Sequence, residues 1–263
     1  MTEEAPILSK ETLQLYKDYV GIKDPNELCT HLINIKNKLS EEGKVNYRCI
    51  QQYEFAFSRI YYRFFYKRIL DLAQQVEKPY FLDIGCCTAE REGTDLRKLL
   101  LDGYPKEYLI GLDIEQSYID CGYELFGDSA TTCPIQFIVR DLLKSECMLK
   151  EKMTVIHAGS VFHLFLNLDD MRQFLKKLIG NLKWGGLLVG GHVCAEKSRQ
   201  FFRQSTQRLK FYLGIDEFKQ LLQSEGFQEI EIETKPRISS DEETFTAFWV
   251  SFCAIYQPDR DKQ

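Results

Sequence analysis

The feature that most constrains this chain is Tyr80-Phe81-Leu82-Asp83-Ile84-Gly85-Cys86-Cys87. A short apolar run ends in an acidic residue, then a glycine, then small side chains. A helical segment follows from about Thr94, and a second strand ends in Gly111-Leu112-Asp113. This is the opening of a nucleotide-binding α/β unit, in which a ligand sits just beyond the carboxyl ends of parallel strands. Gly85 has no Cβ, so backbone and ligand can approach closely there. Asp113 stands where a carboxylate accepts hydrogen bonds from ribose hydroxyls.

The details disfavour a dinucleotide. A NAD site needs G-x-G-x-x-G, so that a helix N-terminus faces the pyrophosphate. Here Cys87 and Glu90 hold the second and third glycine positions. S-adenosylmethionine has no phosphate and carries a sulfonium and an ammonium, which an acidic residue such as Asp83 suits. An isolated D-x-G also fits an ordinary buried strand and turn, and the later segments are what count against that reading.

A chain of 263 residues suits one α/β domain with an appended segment, and 44% hydrophobic residues supply a sizeable core. The net charge of −5 gives no support to a nucleic-acid partner. The nine cysteines are scattered without a C-x-x-C pair, which predicts free thiols in a reducing compartment. The N-terminus shows no secretory signal, and no window of about 18 residues is uninterruptedly apolar. A cytoplasmic, soluble protein without a membrane span is expected.

Residues from about 10 to 75 read as helical. Leu13, Tyr16 and Val20, and then Leu28, Leu32, Ile35 and Leu39, follow helical spacing. The stretch from Gln51 to Ala73 crowds Tyr53, Phe55, Phe57, Tyr61, Tyr62, Phe64, Phe65 and Tyr66 among basic residues. It reads as a helix with an aromatic stripe on the core and a solvated basic face, part of which could close over a ligand. From residue 80, short apolar strands alternate with helices, which implies a parallel sheet. Phe227–Thr234 and Phe245–Tyr256 read as an antiparallel hairpin at one edge. The expected fold class is therefore α/β, a Rossmann-like, mostly parallel sheet with an antiparallel C-terminal edge hairpin. The expected division is a helical segment over 1–75 and a catalytic domain over 76–263.

Three further segments carry chemistry. Phe137-Ile138-Val139-Arg140-Asp141-Leu142 again ends a strand in an acid, where Asp141 can meet an adenine amino group and Leu142 can flank the ring. Thr154-Val155-Ile156-His157-Ala158-Gly159-Ser160-Val161-Phe162-His163-Leu164-Phe165 should cross the mouth of the site. Leu182-Lys183-Trp184-Gly185-Gly186-Leu187 reads as a helix end capped by Gly185, followed by a buried strand.

These five segments, in this order, resemble class I S-adenosylmethionine-dependent methyltransferases. A narrower set resembles the methyltransferases of fungal meroterpenoid and polyketide pathways: Asp83-Ile84-Gly85-Cys86-Cys87, Asp95-Leu96-Arg97-Lys98-Leu99, Asp102-Gly103, Gly122-Tyr123-Glu124-Leu125-Phe126, His157-Ala158 and Phe162-His163-Leu164-Phe165. Tyr47-Arg48-Cys49-Ile50 is similar to a Pro-Cys-Ile element of that family. The similarity runs from about residue 25 to 195. The chain departs from the pattern at Thr88–Thr94, about four residues longer between Cys87 and Asp95, beside the expected cofactor pocket. A basic or histidine-containing element after the fifth strand is represented only by Lys210-Phe211-Tyr212-Leu213.

The resemblance implies S-adenosylmethionine as cofactor and a hydrophobic natural-product acceptor, such as a prenylated aromatic acid. It also implies a homodimer. Cofactor-binding candidates are Tyr53, Asp83, Gly85, Cys86, Asp113, Ile114, Asp141, Leu142, His157 and Ala158. A carboxylic acid acceptor is already ionised near neutrality, whereas a phenol needs a base, for which His163 is the candidate. His157 suits a backbone contact to the cofactor, and His31 and His192 read as structural. No Asp, Glu or His cluster has metal-ligand spacing. A protein of this fold could also bind S-adenosylmethionine without transferring methyl, as a cyclase, a pericyclic-type catalyst or a binding module; the inserted loop at 88–94 keeps that alternative open.

Overall fold

The computed structural model describes residues 5–42, 48–86, 93–144, 152–204, 207–237 and 245–258. Helix α1 (Lys10–Tyr19) starts at Ser9, whose hydroxyl accepts the Thr12 amide at 3.1 Å. Helix α2 (Pro25–Glu42) buries Leu28, Leu32, Ile35 and Leu39, the stripe its helical spacing predicts. These side chains share one core cluster with Leu15 and Tyr16 of α1.

The Gln51–Ala73 stretch is not one helix. A short α3 (Arg48–Gln51) is followed by 3-10 turns at Glu54–Ala56 and Ile60–Tyr62, and then by α4 (Tyr66–Gln75). Tyr53 adopts a left-handed backbone, with φ of 57°. A distant carboxylate explains the break downstream. Asp95 Oδ1 accepts the amides of Arg59 and Ile60 at 2.7 and 3.0 Å, and the Thr94 hydroxyl donates to the Phe55 carbonyl at 2.6 Å. A continuous helix would engage those amides and that carbonyl internally.

The strands and helices then alternate: β1 (Phe81–Ile84), α5 (Thr94–Leu101), β2 (Leu109–Asp113), α6 (Gln116–Phe126), β3 (Gln136–Val139), β4 (Met153–Gly159), α7 (Leu168–Ile179), β5 (Leu182–Ala195), β6 (Arg199–Arg203), β7 (Arg208–Tyr212), α8 (Ile215–Ser224), β8 (Phe227–Arg237) and β9 (Ala247–Tyr256). Among the described residues, seven strands form a sheet of order β3-β2-β1-β4-β5-β9-β8. The pairs β2–β3, β1–β4 and β4–β5 are parallel, and β5–β9 and β9–β8 are antiparallel. The strand order reverses between β1 and β4, the kind of position where α/β sheets bind ligands.

Two expectations are corrected. Helix α7 ends at Ile179, short of the helix end expected just before Gly185, and β5 already begins at Leu182 rather than after the Gly185-Gly186 turn. Gly185 has the expected positive φ, at 75°, but lies inside β5, whose ladder with β4 is irregular between Met153 and Val155. The antiparallel hairpin β6–β7 was not anticipated.

The contacts group the chain into two compact units: residues 1–77 with 85–140, and 78–84 with 141–263. Among the described residues, no helix is long and apolar enough to cross a membrane. The described cysteines Cys29, Cys86, Cys121, Cys133, Cys194 and Cys253 are free thiols.

Candidate functional site

In the first unit, Gly85 follows β1 with φ of 66°, in the left-handed region that suits glycine. Its amide and that of Cys86 both donate to the Leu112 carbonyl, at 2.8 and 3.2 Å. The turn is thereby fastened to the end of β2. The Cys86 side chain is fully buried, and a Cβ built on Gly111 would meet its sulfur at 2.8 Å. Cys86 therefore points its thiol into the fold beside β2, leaving only its backbone for a ligand.

Asp113 ends β2 and is buried. Its Oδ1 accepts the amides of Ile114 and Glu115 at 2.7 and 3.1 Å, which fixes the carboxylate in one orientation. Ile114, next along, exposes 59% of its surface, so an apolar side chain flanks the strand end. Tyr53 belongs to this unit's core. Its ring is buried beneath the Lys36 ammonium, 4.7 Å from the ring centroid, and beside Phe55.

The start of α5 holds polar residues that are buried with their partners. Asp95 Oδ1 also accepts the Ser58 hydroxyl at 3.0 Å, in addition to the two amides described above. Arg97, fully buried, donates Nη2 and Nε to the two oxygens of Asp128 at 2.8 and 3.1 Å, and its guanidinium stacks 4.3 Å from the Phe126 ring centroid. Tyr19 of α1 donates its hydroxyl to the same Asp128 at 2.8 Å. The sequence marked Asp95-Leu96-Arg97 as a motif without revealing that its two ionic side chains hold separate segments.

In the second unit, Asp83 and His157 are direct partners in the parallel β1–β4 ladder, so they point to the same face of the sheet. Asp83 Oδ1 lies 2.9 Å from His157 Nδ1, and both residues are buried. His157 thus engages Asp83 through its ring. Ala158 is buried in the same strand. Asp141 lies two residues beyond β3; its carboxylate accepts the Leu143 amide at 2.9 Å and pairs with Lys144 at 3.2 Å. Leu142 beside it is buried.

The chain leaves β4 through Ser160, a non-glycine residue at φ of 56° whose amide donates to Gly191 at 2.6 Å. Such left-handed positions are sparsely populated and cluster at functional turns. The 3-10 turn Phe162–Leu164 follows and presents half-buried His163. His192 of β5 is buried among Phe162, Phe218 and Phe252. Burial, reinforced by His163, pushes its pKa down to about 3, so its imidazole is neutral at physiological pH. Cys87 and residues 88–92 of the inserted loop lie outside the described residues, as do Tyr47 and the 238–244 connection between β8 and β9.

The reversed strand order, the antiparallel edge pair and the turn between β1 and α5 define the fold as the Rossmann-like fold of class I methyltransferases. Across almost its whole length, the chain superposes on 1,6-didemethyltoxoflavin-N1-methyltransferase of Burkholderia thailandensis, solved with S-adenosylhomocysteine. The TM-score is 0.53 at 11% identity, covering 96% of this chain and 94% of the other. Phosphoethanolamine N-methyltransferase 2 of Haemonchus contortus, solved with S-adenosyl-L-methionine, gives 0.55 at 14% identity over 86% and 60%. At such identities the likeness is one of fold.

In sequence, the chain resembles fungal pathway methyltransferases. It is 34% identical over 154 residues to the O-methyltransferase phiE of a fungal species, covering 57% of this chain and 50% of that protein. It is 27% identical over 219 residues to the Asnovolin E/Chermesin D methyltransferase nvfJ of Aspergillus novofumigatus, covering 81% and 73%. The chain thus spans half the length of the first of these relatives. No family model matches it.

Proposed function

We propose that this chain is an S-adenosylmethionine-dependent O-methyltransferase acting on an apolar, natural-product-like small molecule that bears a carboxylic acid or a phenol. The reading is supported by the methyltransferase fold and by the fungal relatives in sequence. The observation that carries it is the Asp113 carboxylate, buried at the end of β2 and held by two backbone amides beside the left-handed Gly85 turn. These residues fit the cofactor. A glycine without Cβ leaves room for backbone approach, and a preorganised carboxylate suits the two hydroxyls of a ribose.

The bound cofactor supplies an electrophilic methyl group on a sulfonium, and the protein supplies binding and orientation. In the first unit, Asp113, with Ile114 next to it, would accept the ribose hydroxyls; in the second, Asp141 and Leu142 are the residues for the adenine. Asp83, braced by the His157 ring, offers a carboxylate at the cofactor's ammonium. Holding donor and acceptor in line is worth as much as ~7–11 kcal/mol. With a phenol acceptor, His163 takes the hydroxyl proton; with a carboxylate, no proton need move, and His163 only orients the acceptor.

Replacing Asp113 by alanine should weaken S-adenosylmethionine binding more than tenfold in calorimetry, while the protein stays folded. Unchanged affinity would remove the ribose assignment. Accumulation of S-adenosylhomocysteine with a panel of aryl acids and phenols tests the reaction itself.

A further inference from the structure

The hairpin β6–β7 has no part in the proposed cofactor site, and its two faces are unlike. Residues directly opposite in an antiparallel pair share a face, and the next pair along turns to the other. The register pairs Arg199 with Tyr212, Phe201 with Lys210 and Arg203 with Arg208, which places those six on one face. It pairs Gln200 with Phe211 and Phe202 with Leu209, which places these four, none of them charged, on the other.

The first face anchors the hairpin. The Phe201 ring centroid lies 5.0 Å from those of both Tyr212 and Phe245, and Arg203 donates to the Tyr212 hydroxyl at 2.6 Å. Tyr212 and Phe201 pack in one small cluster with Val193 and Ala195 of β5. The hairpin is thus fastened to β5 through its first face.

On the second face, Phe202 and Leu209 are 48% and 43% exposed. Leu164 and Leu166, 49% and 45% exposed, stand on the neighbouring loop. Two contacts join that loop to the hairpin: Gln200 donates to the Leu166 carbonyl at 3.5 Å, and β7 packs against the 3-10 turn Phe162–Leu164. Gln200 shares its face with Phe202, so this face borders the loop. Among the described residues, these four account for most of the second unit's large exposed hydrophobics, the others being Leu143 and Trp184. Exposed apolar side chains gathered in one place mark a binding surface. The turn they adjoin carries His163.

We propose that this face is the platform for the apolar body of the methyl acceptor. Phe202, Leu209, Leu164 and Leu166 hold an alkyl chain or ring, and His163, on the adjoining turn, meets the reacting oxygen. The absence of charge on the face suits such a body. Successive side-chain pairs on the face lie two residues, roughly 7 Å, apart along the strands, so an extended chain has a strip to follow. A second copy fits less well, because it would lie across the turn that bears His163. The proposal rests on the methyl-transfer reading and assigns its acceptor side.

The test is calorimetric binding of 4-alkylphenols, from ethyl to octyl, to the full chain, which requires no turnover. Affinity should rise about fourfold per methylene, from ~0.8 kcal/mol each. The double variant Phe202→Ser/Leu209→Ser should lower 4-octylphenol affinity by about tenfold or more and flatten the series. Its circular dichroism and its S-adenosylmethionine binding should be unchanged. In turnover, KM for the alkylphenol should rise with kcat little altered, because the lost contact serves substrate and transition state alike. As a gain of signal in a near-native chain, Phe202→Trp should shift the fluorescence to the blue, relative to the parent, when 4-octylphenol is added. Affinity independent of chain length would overturn the proposal, as would a series that the double variant leaves unaltered. So would loss of S-adenosylmethionine binding in that variant, which would make the face part of the scaffold. A dimer that the double variant converts to a monomer would also overturn it, because a second copy would then cover the face. Failure of the methyl-transfer reading has a different signature: no S-adenosylhomocysteine forms, while the chain-length dependence and its loss in the double variant persist and support the platform.

Discussion

The start of α5 and the β6–β7 hairpin both gather charged and polar side chains, and they use them in opposite ways. At α5, Thr94, Asp95 and Arg97 are buried, and each meets its complement inside the fold: the Phe55 carbonyl, the Ser58–Ile60 donors and the Asp128 carboxylate. In the hairpin, Arg203 faces Arg208 across the strands, and the apolar pair Phe202 and Leu209 on the other face is exposed. A polar cluster whose complements are internal is scaffold, because removing one member leaves the other desolvated and unmatched. An exposed charge that faces a like charge, as Arg208 faces Arg203, can be removed without stranding a buried partner. The comparison separates residues whose loss should unfold the protein from residues whose loss should leave it folded.

The strongest way to break this comparison is Asp128→Ala. It would leave the fully buried Arg97 guanidinium without the carboxylate that receives two of its donors. Stranding a buried charge typically costs about 3–5 kcal/mol. Urea denaturation should show a loss of that size, and a loss under ~1 kcal/mol would mean that water or another group reaches Arg97.

A smaller effect is expected at His192, which extends the buried side of the comparison to the second unit. Its folded pKa, about 3, lies below the ordinary 6.5. Between those values the unfolded chain binds a proton that the folded chain refuses. Its contribution to stability is therefore complete above pH 6.5 and is lost as the pH falls toward 3, by at most ~1.4 kcal/mol per pH unit. The variant His192→Leu should flatten the stability profile between pH 6 and 4 relative to the parent, by about 2–3 kcal/mol across the interval. Parallel profiles would show that the imidazole is hydrated or partnered when charged.

What was legible in the sequence follows the same division between local and distant causes. Strands β1, β2 and β4 are buried apolar runs, and α6 and α8 have helical periodicity, so local pattern suffices. Gly85 and Asp113 stand at strand ends whose positions that pattern gives. The broken 51–73 stretch was hidden because the carboxylate that holds it, Asp95, is more than thirty residues away. The Asp83–His157 contact depends on strand register, and the inward turn of Cys86 depends on Gly111, neither of which a local pattern carries. The hairpin escaped because Arg-Gln-Phe-Phe-Arg and Arg-Leu-Lys-Phe-Tyr lack a clean alternation of apolar and polar residues.

The smallest expected effect sharpens the comparison from the hairpin's side. Arg208 is exposed and faces Arg203 across the strand pair, so Arg208→Gln removes a repulsion and no buried partner. Urea denaturation should find stability within about 0.5 kcal/mol of the parent, as for surface substitutions in general, with any change in the stabilising direction. A loss of more than ~1 kcal/mol would place Arg208 among the scaffold residues, in the same class as Arg97. Its charge would then be matched within the protein, and the contrast between the hairpin and α5 would disappear.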